Sequence, residues 1–81
     1  MTPAQCRAAR ALISISQDDL AKAAQVGVQS LIAFENNKRT PYARTLDAIR
    51  TTLESRGVEL IPENGGGAGV RLRQVGSRNE T

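Results

Sequence analysis

Few residues in this sequence are equipped for covalent or acid–base chemistry. There is no histidine, and Cys6 is the only cysteine. A nucleophilic triad usually takes its base from histidine, and a protein metal site needs clustered Cys or His. An enzyme is therefore not expected, and neither a metal nor another cofactor is implied. Cys6 recurs at helical spacing with Ala9 and Ile13, so it reads as a small core residue, not a redox sensor. A triple glycine at 65–67 could in principle cradle a phosphate, but no lysine and helix follow it as in a P-loop. It reads as a flexible connector.

What remains is charge. Eleven basic residues against eight acidic ones give +3 and a sequence pI of about 9.8. The excess is local: residues 1–56 hold eight basic and five acidic side chains, whereas residues 57–81 hold three of each. An anionic partner bound through the first 56 residues is the simplest reading.

The elements that would position those charges are legible. Thr2, Pro3 and Gln5 form a helix start with a cap, a proline in the first turn and a capping-box partner. Ser16 and Asp19 give a second box, opening a short helix Gln17–Ala24. Gln25-Val26-Gly27 breaks the chain before another short helix, Val28–Asn36. A polar loop, Asn36 to Arg39, leads to Thr40-Pro41, read as cap and first-turn proline of a long helix reaching about Arg56. Gly57 ends it. Leu46, Ile49 and Leu53 share one face of that helix. Past Gly57 the period changes to two, with Val58 and Leu60 alternating with Glu59, and Val70 and Leu72 with Arg71 and Arg73. The expected fold is mainly α: a four-helix head (1–56), a two-stranded β arm (57–75) and a flexible tail (76–81).

Eighty-one residues make one small domain that buries only about 60% of its unfolded surface, so a second subunit would help it. A single cysteine cannot form an internal disulfide, which suits a cytoplasmic location. No apolar run approaches the roughly 20 residues of a membrane span, and no signal-peptide pattern opens the chain.

Two short helices about a three-residue break have helix-turn-helix geometry. Leu20, Val26, Leu31 and Phe34 would wedge between them, and Ala21 would stand where they approach most closely. The stretch SQDDLAKAAQVGVQSLIAFENNKRTP resembles the Xre type of helix-turn-helix regulator, the class of the lambdoid phage Cro and repressor proteins. The resemblance spans roughly residues 3–55. Two positions depart from it: Gln25 stands where the family usually has a turn glycine, and Gly27 where it has a Ser or Thr cap.

The resemblance implies a DNA-binding transcriptional regulator whose second motif helix enters the major groove of double-stranded DNA. The outward positions would then be Val28, Gln29, Ser30, Ile32, Ala33 and Asn36. Gln29 could pair with adenine, while Val28, Ile32 and Ala33 could only touch thymine methyls or sugars. Phosphate contacts would come from Gln17, the Gly27 amide, Asn36, Lys38, Arg39 and Arg44, with Tyr42 a weaker candidate. The resemblance also pairs Arg10 with Glu35 as a structural ion pair. Asp18 and Asp19 suit the helix dipole; in some members an acidic patch on that helix meets RNA polymerase.

The arm suggests a homodimer. With Leu60 opposite Val70, the aliphatic residues Val58, Leu60, Val70 and Leu72 share one face and Glu59 meets Arg71 across the strands. A lone hairpin is marginal in water, so this face should form a dimer contact or brace the last helix. The leading expectation is a homodimeric repressor or autoregulator on an inverted-repeat operator. The rival is an antitoxin-like module that binds a protein partner as well as its own promoter.

Overall fold

A computed structural model describes residues 1–73; the expected tail and the last two residues of the expected arm lie outside the described residues. Among them, four helices precede an antiparallel two-stranded sheet: α1 (Pro3–Ile13), α2 (Gln17–Ala24), α3 (Val28–Glu35), α4 (Ala43–Ser55), β1 (Val58–Ile61) and β2 (Gly69–Leu72). No described helix is long and apolar enough to cross a membrane.

The helix starts follow local chemistry. At α1 the capping box is complete: Gln5 N–H donates to Thr2 Oγ1 at 3.0 Å, and Thr2 N–H donates to Gln5 Oε1 at 2.8 Å. At α2 only half of the expected box forms, with Asp19 N–H donating to Ser16 Oγ at 3.0 Å. An aspartate is one methylene shorter than the glutamate of a full box, and its carboxylate does not return the bond. Two starts or ends move relative to the sequence reading. The second motif helix, α3, stops at Glu35, with Asn36 as its cap. The last helix begins at Ala43 instead of after Thr40, with Tyr42 in extended geometry (φ −58°, ψ 153°). Proline fixes φ but suits extended chain as well as a first turn, and it forces the preceding residue away from helix. Thr40-Pro41 therefore lengthens the loop, and Tyr42 O closes the first turn by accepting from Thr45 N–H at 2.9 Å and Leu46 N–H at 3.1 Å.

Gln25 takes the left-handed conformation (φ 59°, ψ 44°) that the turn demands, in place of glycine. That geometry costs a non-glycine residue roughly 1 kcal/mol or more, and Gln25 N–H and Val26 N–H offset part of it by donating to Lys22 O and Ala21 O.

The core gathers Cys6 and Ala9 from α1, Leu20 and Ala21 from α2, Leu31 and Phe34 from α3, and Ile49 and Leu53 from α4. Leu20, Leu31 and Phe34 fill the expected wedge; Val26 is half-buried beside them. The hairpin register is Val58↔Leu72, Glu59↔Arg71, Leu60↔Val70 and Ile61↔Gly69, the pairing that period two required. Arg71 and Glu59 form the cross-strand ion pair at 2.9 Å.

The aliphatic face of the hairpin packs mainly on its own head. Val58 is a core residue, 1% exposed, and Leu60 and Val70 pack against the same core, while Leu72 is 52% exposed. Both strands lie against α1, and β1 also lies against α4. Gln5, buried beneath the hairpin, adds a tie that its role as a capping partner does not suggest. Its Nε2 donates to Ile61 O and to Gly69 O, both at 2.9 Å, bracketing the rung where the strands part. The arm therefore completes the head's core. Val58→Ala should cost about 2 kcal/mol in urea unfolding, since it deletes two buried methyl groups and leaves a void. Leu72→Ala, at a half-exposed position, should stay within about 0.5 kcal/mol. Equal small effects at both sites would show that the hairpin is not part of the cooperative core.

Candidate nucleic-acid interface

The geometry of the motif is set by one buried carboxylate. Glu35, the last residue of α3, is 1% exposed. Arg10 meets it side-on, with Nε donating to Oε2 and Nη2 to Oε1, both at 2.8 Å. Cys6 Sγ donates to Oε2 at 3.1 Å and Gln17 Nε2 to Oε1 at 2.9 Å. Arg7 Nη1 donates to the Glu35 backbone carbonyl, and Arg10 Nη1 to Ile15 O at 3.2 Å, between α1 and α2. Three helices thus meet at a single side chain, and its arginine partner reaches the linker between two of them.

The electrostatics follow from this arrangement. Burial by itself would raise the Glu35 pKa, but hydrogen bonds from Arg10, Cys6 and Gln17, with the Arg10 charge, outweigh it and hold the carboxyl below its usual range. Its hydrogen bond to Glu35 raises the Arg10 pKa in turn, against partial burial. Burial pushes the Cys6 thiol far up, and the Glu35 carboxylate beside it pushes the same way. Cys6 is accordingly a protonated donor inside the core, unsuited to nucleophilic chemistry.

With Glu35, Leu31 and Phe34 on the buried side of α3, the opposite side follows from about 3.6 residues per turn. Gln29, Ala33 and Asn36 stand furthest from the core, flanked by Ser30 and Ile32. Gln29, Ser30 and Asn36 are exposed, while Ile32 and Ala33 are half-buried. Val28, expected among the outward residues, is also half-buried and packs against the core. Gly27 is exposed and caps α3 with extended backbone and no side-chain cap, so the first amides of α3 face no protein acceptor of that kind. Lys38 and Arg39 follow in the exposed loop after α3, and Arg44 and the 82%-exposed Tyr42 stand at the start of α4.

Gln17 sits at the first position of α2, where its amide is partly committed to Glu35 and keeps a second N–H. Asp18 and Asp19 are exposed in the same first turn, where the helix dipole favours them. Among the described residues no group of three His, Cys, Asp or Glu side chains could hold a metal ion.

Arg10→Met would strand the Glu35 carboxylate in the core with only Cys6 and Gln17 as donors. We expect a loss of about 3–5 kcal/mol at neutral pH. The sign with pH is fixed by the lowered carboxyl. In the unmutated protein the stabilisation is full above the ordinary carboxylate pKa and is lost as pH falls through the depressed folded value. In the variant the stranded group protonates more readily, so the gap between the two proteins should narrow as pH drops from 7 toward about 4. Denaturant titrations at several pH values check this; a gap that is constant with pH would show that the pair is not what the substitution disturbs.

A helix-turn-helix family model matches residues 7–60, two-thirds of the chain, and so runs from within α1 through most of β1. No curated protein matches the chain with significance. Within the matched residues, the glutamate that ends α3 is clamped by Arg10 of α1 and by Gln17 at the start of α2. The chain belongs to the Xre-like helix-turn-helix family of DNA-binding transcription regulators.

Proposed function

We propose that this regulator binds an inverted-repeat operator as a homodimer, lays α3 in the major groove, and represses or tunes a promoter, its own being a candidate. One observation carries the reading. Lys38, Arg39 and Arg44 are exposed and enter no ion pair among the described residues, and they follow α3 directly, in the loop after it and the first turn of α4. Cations left unpaired in the segment that follows an outward-facing helix suit the phosphate backbone bordering a groove. The open amides at Gly27 and the remaining N–H of Gln17 would add neutral donors to the same backbone. In this reading the protein is a binder, not a catalyst.

Because Val58 lies inside the protomer, the surface the hairpin can offer a second subunit centres on Leu72 and the uncovered margins of Leu60 and Val70. A small core with a thin stability margin supports such an association.

Three measurements test the function. Gln29→Ala should cost about 1–3 kcal/mol on the preferred site and relax its sequence preference, whereas Lys38→Ala should weaken binding to all DNA alike and flatten the salt dependence. Unchanged affinity and preference in Gln29→Ala would displace α3 as the reading helix. Footprinting should reveal two half-sites whose centres lie about 34 Å apart, one turn of the duplex. A protein that sediments as a monomer at micromolar concentration, with and without that DNA, would remove the dimer.

A further inference from the structure

We infer that the half-site read by α3 is built around A·T pairs, recognised by the amides of Gln29 and Asn36 and by contact of Ile32 and Ala33 with a thymine methyl. The inference rests on α3 entering the major groove and goes beyond it by naming the bases.

The argument is one of elimination followed by fit. In the major groove guanine presents two acceptors, read chiefly by Arg or Lys, and cytosine presents an amino donor, read by Asp or Glu. From Val28 to Asn37 the chain has no cation. Its one acid there, Glu35, is buried, and both of its oxygens are taken by Arg10, Cys6 and Gln17. The fold has thus withdrawn from the groove the single charged group that the helix possesses. Val28 turns toward the core, which removes one of the aliphatic candidates as well.

What stays outward has a definite chemistry. Gln29 and Asn36 each carry a side-chain amide, whose paired donor and acceptor match adenine N7 and its amino group. They lie two turns apart on α3 and its cap, about 10.5 Å along the axis, enough to span about three base pairs. Between them Ala33 offers only a methyl group, with Ile32 beside it. A short apolar floor between two amides has no hydrogen bond to give, and the apolar feature a base pair shows in this groove is the thymine methyl. Ser30 can donate or accept and does not discriminate.

Selection of the full-length protein on a pool of random duplexes, followed by titration of the enriched duplex, tests this directly. The enriched half-site should centre on A·T pairs, and placing G·C at an amide-read position should lower affinity about tenfold. Replacing thymidine by deoxyuridine keeps every hydrogen-bonding atom and removes only the methyl. At the position facing Ile32 and Ala33 that change should lower affinity about fourfold, the worth of one buried carbon. Ile32→Ala, checked for folding by circular dichroism, should shrink the difference between the two bases. The unmutated protein alone suffices to overturn the inference: an enriched half-site defined by G·C pairs, or equal binding of thymidine and deoxyuridine duplexes throughout, would do so. Failure to enrich any sequence would instead overturn the operator reading on which the inference stands.

Discussion

Taking the Glu35 carboxylate out of water carries a desolvation penalty of several kcal/mol, and four hydrogen bonds to its two oxygens offset it. Those donors come from Cys6 and Arg10 on α1 and from Gln17 on α2, while the acceptor ends α3. None can move without leaving a buried charge short of partners. The relative placement of the two motif helices is therefore fixed by a penalty for misplacement more than by a gain in stability. A buried apolar contact would tolerate sliding that this bidentate pair does not. The same network keeps Cys6 protonated and joins Gln17 at the start of α2 to the end of α3.

The hairpin serves a second need, which is volume. A chain of 81 residues has little interior, and α1 and α4 together leave one side of it open. Val58 closes that side, and Leu60 and Val70 extend the cover. Gln5 then binds the hairpin's last rung to the start of α1 with both of its amide protons, while its carbonyl caps the helix. Every polar group of that buried side chain is occupied, as burial requires. The consequence for assembly is that most of the hairpin's aliphatic face is unavailable to a second protomer, and Leu72 is left as its exposed remainder.

The proposed recognition surface divides its labour by charge. Cations sit on the loop after α3 and at the head of α4, and α3, which precedes them, is uncharged on its outward side. That separation is a product of folding. The sequence places an acid in α3, and the tertiary structure turns it inward against Arg10.

Much of this was written locally. The caps at Thr2 and Ser16, the break at Gln25-Val26-Gly27, the apolar stripe of α4 and the register of the hairpin all follow from neighbours a few residues apart. Periodicity is sufficient for such features, because a strand shifted by one residue would turn its aliphatic face to water. The pairing of Arg10 with Glu35 came from family resemblance, since a distance of 25 residues in the chain leaves no periodic trace. Gln5 bonding to residues 56 and 64 positions away left no signal at all. Thr40-Pro41 reads as a helix start, yet α4 begins at Ala43, because proline satisfies an extended loop as well as a helix's first turn. Val28 reads as an outward residue but packs against the core, and Val58 serves the core where a partner was the alternative, because a pattern marks a residue as apolar without saying what covers it. Local chemistry determined which elements form; the helices and hairpin brought together around Glu35 decided which faces remain free to touch another molecule.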